Sequence, residues 1–307
     1  MIKVVLFDLG LTLVDAQQKP FAHVPAALAV IQGLHTAAGK PLRSALVSDF
    51  TLVAPPPTPA KVAAVFAQYL TLLTATGLRN FFEPTARRVT LSTHVGVMKP
   101  ARAVFDKALS RLQIKATLAE CLFITEAQAH ITAARALGLH TLRFASPGSA
   151  SAAQADFSDW SQAPALITHQ LAAPTDANLH AAIAAHMAAR GVDVADVQTG
   201  SAAQAYQVRG STWHTLAVPG HSALKAVQVA MPLQAQVTRS AHGALHVKLP
   251  AADPQAVAEA TAFVASLAAH GQIEGLGAAA SKSAATHQIQ TDALGARKLV
   301  RKRFTAF

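Results

Sequence analysis

The stretch Val4–Asp15, "VVLFDLGLTLVD", decides the fold. Its four apolar residues, Val4 to Phe7, read as a buried strand, and Asp8 stands at the tip of that strand. Gly10 and Thr12 follow in a turn before the apolar pattern resumes at Leu13. In sheets of parallel strands the loops at the carboxyl ends gather the reactive groups, so a lone carboxylate at such a tip is a candidate site residue. Two positions on, where a second carboxylate could have stood, the chain has glycine.

Outward from this strand, to about residue 145, strand patterns alternate with helix patterns, which predicts an α/β fold with a parallel sheet wrapped by helices. Further strands are expected at Ser44 to Val47, Arg88 to Leu91, Cys121 to Ile124 and His140 to Phe144. Helical spacing marks Pro25 to Ala38, closed by Gly39, and Pro59 to Thr76, closed by Gly77. Ala101 to Leu112 and Ile131 to Leu137 are expected helices as well. Four strand ends then carry groups suited to phosphate: Asp8, Ser48 after "ALV", Lys99 in "VGVMKP" and Glu126 after "LFIT". A carboxylate nucleophile, a hydroxyl for a phosphoryl oxygen, a lysine to neutralise charge and an acid to help hold Mg²⁺ are the parts of an aspartyl-phosphate mechanism.

Taken in order, "FDLGLTLVD", "ALVSD", "VGVMKPARAVFDKAL" and "LFITEAQAHITAARALGLHTL" resemble the four motifs of the haloacid dehalogenase (HAD) superfamily of hydrolases. The resemblance covers the first domain only. It implies a Rossmann-like HAD core with a minimal cap, because the segment between Asp8 and Ser48 is too short for a large one. It also implies Asp8 as nucleophile, Ser48 and Lys99 as phosphoryl-binding groups, Asp8 and Glu126 as Mg²⁺ ligands, and a phosphorylated small molecule as substrate. Two departures stand out. Gly10 occupies the place of the family's acid/base, whose loss costs about 10²- to 10⁴-fold, and His130 stands where a second metal-binding acid would be. Haloacid dehalogenases and some sugar-phosphate phosphatases of the superfamily also lack the second acid. Each site residue has a plainer reading: Asp8 capping its own turn, Ser48 ending a strand, Lys99 as a solvated charge and Glu126 at a helix start.

Composition frames the rest. The chain has 307 residues, 51% of them hydrophobic, enough for two packed domains. No apolar run suits a membrane span and no leader pattern opens the chain, so a cytoplasmic protein is expected. The single cysteine, Cys121, reads as a buried strand residue. The formal charge is +10, and residues 1 to 150 carry most of it, with 15 Lys and Arg against 7 Asp and Glu. The C-terminal cluster Arg297, Lys298, Arg301, Lys302 and Arg303 invites a nucleic-acid reading, against which an exposed edge strand is favoured.

Residues 1–171 are thus expected to form the HAD-like domain and 172–307 a smaller α+β domain of unassigned role. Within the latter, a helix from Asp176 to Arg190, strands in Thr212 to Val218 and Gln234 to Leu249, a helix from Asp253 to about His270 and a hairpin in His287 to Phe304 are expected. Trp160 and Trp213 read as core anchors. The functional expectation is a phosphohydrolase with an eroded site. Its rival is an inactive HAD-fold binding or scaffolding protein acting through the C-terminal domain.

Overall fold

The computed structural model describes residues 1–171, 175–202, 204–274, 285–292 and 295–302. The chain forms two compact units, one of residues 1–186 with 240–245, the other of residues 187–239 with 246–307. In chain order the first contains β1 (Val4–Phe7), α1 (Val24–Gln32), β2 (Arg43–Ser48), α2 (Pro59–Ala75), α3 (Thr85–Arg88), β3 (Val89–Leu91), α4 (Arg102–Leu112), β4 (Cys121–Thr125), α5 (Gln128–Ala136), β5 (His140–Arg143), α6 (Ala163–Gln170) and most of α7 (Asp176–Ala188). Its five strands are all parallel, in the order β3-β2-β1-β4-β5. That order, with β1 at the centre and successive strands added to either side, is Rossmann-like.

The apolar run of β1 is buried on both sides because alternate residues serve two cores. Val5 and Phe7 pack with α1, α6 and Trp160, while Val4 and Leu6 pack with Val104, Phe105 and Ala108 of α4 and with Ala134 of α5. Each such side chain contributes about 1.5–3 kcal/mol by leaving water. Cys121 lies in the second core, fully buried, and burial pushes its thiol up to about 12, which keeps it protonated and inert.

Thr58 caps α2 by accepting the Lys61 N–H, Pro59 opens it, and Gly77 follows it at a positive φ of 72°. Helix α1 is shorter than its spacing suggests. It ends at Gln32 with Gly33 as cap, and Gly39, at φ 68°, instead turns the chain between Thr36 and Lys40 so that it can enter β2. The helix expected from Asp176 begins there but ends at Ala188, and the Thr175 hydroxyl, one residue earlier, accepts the Asn178 N–H.

The second unit holds β6 (Val192–Thr199), β7 (Ala205–Leu216), β8 (Val227–Arg239), β9 (Leu245–Lys248, whose first residue belongs to the first unit), α8 (Pro254–Ala269), β10 (Ile273–Glu274), β11 (His287–Thr291) and β12 (Arg297–Arg301). They form a mixed sheet in the order β10-β11-β12-β8-β7-β6, with β9 beside β8. Its apolar side, with Leu216, Val227, Ile273 and Leu299, packs on Val264 and neighbouring residues of α8. Strand β12 corrects the edge-strand expectation, since it lies between β11 and β8. Trp213 is likewise no core anchor: it is half-buried, with the Lys298 ammonium 5.0 Å from its ring and its Nε1–H donating to Asp193. Trp160 is buried as expected. Residues 293–294 and 303–307, which carry part of the expected C-terminal hairpin and Arg303, lie outside the described residues. Among the described residues no helix is long and apolar enough to cross a membrane.

Candidate functional site

Because β2, β1 and β4 are neighbours and parallel, their carboxyl ends bring Ser48, Asp8 and Glu126 to one end of the sheet. Lys99 reaches the same place from the segment after β3. All four line a cavity of about 470 Å³, together with Gly10, Asp15, Asp49, Tyr69 and His130. The four residues singled out from the sequence are therefore brought together.

Asp8 and Lys99 form a buried ion pair, 7% and 6% exposed, with Lys99 Nζ 2.5 Å from Asp8 Oδ1. The reading of Lys99 as a solvated charge is overturned by that burial. Its ammonium also donates to the Val47 carbonyl at 3.1 Å, and its N–H to Asp49 Oδ1 at 2.8 Å. Asp8 is oriented further by the Leu9 N–H on Oδ1 at 2.9 Å and the Thr125 hydroxyl on Oδ2 at 3.0 Å. The Leu9 contact is the local turn bond of the plainer reading, here one of several restraints on a carboxylate that faces the cavity.

Ser48 is aimed by a residue the sequence reading passed over. The Tyr69 hydroxyl, on the inner side of α2, donates to Ser48 Oγ at 2.7 Å. Complete burial raises the Tyr69 pKa, so the phenol stays protonated and leaves the serine's own O–H available to a ligand oxygen. Glu126 is tied back to the first turn: Thr12 Oγ1 donates to its Oε2 at 2.6 Å and accepts its N–H at 3.1 Å. The Thr125 hydroxyl lies between the two acids, 3.0 Å from Asp8 Oδ2 and 3.2 Å from Glu126 Oε2.

Two like-charged carboxylates held to a single hydroxyl favour a cation beside them. Mg²⁺ needs no full protein cage, since it keeps several waters and takes one or two carboxylates plus phosphate oxygens. Among the described residues no three acidic, histidine or cysteine side chains gather as a metal cage, so Asp8 and Glu126 fit Mg²⁺ only as a site completed by water and ligand. His130 lines the cavity with its Nδ1 buried and unbonded, and adds no hard oxygen donor. At Gly10 an added Cβ would meet no atom within 4 Å, and the backbone is not left-handed. The position has room for a larger residue; the acid is missing through the residue chosen, not through crowding.

No family model matches the chain, and no curated protein matches it. Solved structures do. The chain is similar to L-2-haloacid dehalogenase from Xanthobacter autotrophicus, with 16% identity over 58% of this chain and 86% of that one, at a TM-score of 0.35. It is also similar to a HAD family hydrolase from Deinococcus radiodurans with bound phosphate and sodium (17% identity, TM-score 0.35) and to a HAD-hydrolase from Bacillus subtilis bound to magnesium (16% identity, TM-score 0.30). These likenesses cover 51% and 42% of this chain, and span 63% and 45% of the length of those two proteins. By its own strand order and by the four motif residues gathered at the strand ends, the first unit has a HAD-like fold.

Proposed function

We propose that the protein is a phosphohydrolase of narrowed scope, acting through an aspartyl-phosphate on a phosphorylated small molecule with a good leaving group. The buried Asp8–Lys99 pair opening on the cavity, with Ser48 beside it, carries this reading. Asp8, fixed by the Leu9 N–H and Thr125, is placed to attack phosphorus. The Ser48 O–H and the Lys99 ammonium stabilise the phosphoryl oxygens as charge develops on them. A bound Mg²⁺ would neutralise phosphate charge beside Asp8 and Glu126. The bond from phosphorus to the leaving oxygen then breaks, and that oxygen departs with the electron pair. Water subsequently attacks the phosphorus of the acyl phosphate and restores Asp8.

Gly10 can neither protonate the leaving oxygen nor activate that water. Acyl and aryl phosphates, whose leaving groups need no proton, suffer least. Hydrolysis of acetyl phosphate and p-nitrophenyl phosphate, with Mg²⁺ and with chelator, tests the proposal against the Asp8→Asn variant. Metal-dependent turnover lost in the variant, with alkyl phosphates hydrolysed far more slowly, is the expected result. Absence of turnover above the variant in a folded protein would favour the binding or scaffolding role, the reading that Gly10 itself suggests.

A further inference from the structure

A second cavity, of about 500 Å³, lies at the other end of the first unit's sheet, and no step of the proposed chemistry uses it. Lys3 precedes β1 and Arg43 opens β2, whereas Asp8 follows β1 and Ser48 closes β2. Along β1 the two ends are about 16 Å apart. The walls carry Lys3, Lys40, Arg43 and Lys115, and the apolar part is formed by Pro41, Leu112 and Ile114. Lys3 is paired with Glu120 at 2.5 Å. Lys40, Arg43 and Lys115 have no acid within ion-pair distance among the described residues, and no carboxylate lines the cavity.

Uncompensated like charge around a concave surface raises the local concentration of anions. The crowding is felt within the fold as well: after burial, the charge of Arg43 is what depresses the pKa of Arg88. Three sequence-distant segments, around Lys3, Lys40 to Arg43 and Lys115, supply the cations. Their volume is that of a small-molecule site rather than of a groove that follows a nucleic-acid backbone.

We propose that this cavity binds a small organic polyphosphate, its phosphates held by Lys40, Arg43 and Lys115 and its apolar part resting on Leu112 and Ile114. Two or more phosphates are needed to engage cations on separate walls. A single phosphate would leave most of them unmatched. The site is independent of the chemistry at Asp8.

The test is titration calorimetry of the full chain in chelator with tripolyphosphate, ADP, orthophosphate and a single-stranded DNA oligonucleotide, each at low and high salt. Tripolyphosphate and ADP are expected to bind one to one, weaken with salt, and exceed orthophosphate by about tenfold or more. The triple variant Lys40→Ser, Arg43→Gln, Lys115→Ser should lose at least about tenfold in affinity, and Ser48→Ala should leave the affinity as it was. Undiminished binding in the triple variant, or loss in Ser48→Ala, would overturn the proposal, as would orthophosphate binding as tightly as tripolyphosphate. DNA binding that strengthens with length while tripolyphosphate does not bind would assign the surface to nucleic acid instead. The three substituted side chains lie at the surface or half-buried, and the melting temperature without ligand, together with the single variant Lys40→Ser, separates lost binding from lost folding.

Discussion

Lys99 and Asp8 are each costly to bury alone, and the fold tolerates them because each neutralises the other. Removing one partner leaves an uncompensated charge in the interior. Lys99→Met is therefore expected to destabilise the protein by about 3 kcal/mol or more, whereas adding Asp8→Asn to it should restore much of the loss, because no charge then remains unpaired. Urea unfolding of the two single variants and the double variant measures this coupling, and additive losses would show that the pair is not the source. Gly10 offers the opposite experiment. With open space around its Cβ, Gly10→Asp should fold normally and raise the rate on alkyl phosphates by about 10²-fold or more while changing acetyl phosphate hydrolysis little. An equal gain on both substrates would show instead that activation of the hydrolytic water, the step common to both, limits the reaction, and not protonation of the leaving oxygen. Asp8, Ser48 and Glu126 were legible because each sits at a strand end, and Lys99 because it stands in a run of recognisable spacing after the third strand. Thr12, Thr125 and Tyr69 were not, since a hydroxyl beside a carboxylate, or a phenol on a helix, gains its role only from a partner distant in sequence.

The elements that hold the site have their own sensitivities. Helix α2 reaches the site through the hydrogen bond from Tyr69 to Ser48 and through Leu72, which also lines the cavity. Tyr69→Phe keeps the ring packed on Phe50 but leaves Ser48 Oγ short of a donor in a buried place, at a cost of about 1–3 kcal/mol. Thermal unfolding should show that loss, and a raised KM for the phosphate substrate should accompany it. The short turn after β3 carries His94, whose Nδ1 accepts the Leu91 N–H at 2.9 Å and whose ring meets Phe66 edge-on. Burial, reinforced by the charges of Arg111 and Lys107, lowers its pKa to about 4. The unfolded chain, with an ordinary histidine near 6.5, takes up this proton first. Its contribution to stability is therefore complete above about pH 6.5 and lost as pH falls towards 4. A melting temperature that declines across that window, and declines less in His94→Gln, would confirm the assignment; identical slopes would refute it. Among the strands, β5 carries a single buried apolar residue, Leu142, whereas β1, β2 and β4 were legible because each holds a short apolar run. Strand β6 was not, because a bulge between Val194 and Asp196 breaks its alternation, and Gly210 of β7 is required opposite, where any Cβ would collide with the Asp193 carbonyl.

At the scale of the whole chain, the sequence pattern places a boundary near residue 171, beyond the small polar stretch of Ser146 to Ala155 and before a remainder of different texture. Packing instead carries the first unit on to His186 and brings residues 240–245 back to it. Texture reports local preference, while membership of a core depends on contacts across long separations, and those are visible only once the chain has folded. Within this unit the Gln162 side chain accepts the Leu245 N–H and donates to the Leu245 carbonyl, both at 2.9 Å. Asn178 of α7 donates to the His35 carbonyl at 2.9 Å, and Ser161 bonds to the buried His186 at 3.0 Å. A chain ended at Leu171 forfeits all of these and uncovers what Ala182 and Ile183 pack against. Its Asp8 site would be chemically intact, yet its core would lack one wall. Such a chain is expected to melt at a clearly lower temperature than the full protein and to bind a hydrophobic dye. One that keeps 1–186 and supplies a segment for 240–245 should regain much of the loss. Equal melting of the full chain and the 171-residue form would show instead that α7 and the returning segment are dispensable, and that the boundary read from the sequence pattern is the one at which the protein folds.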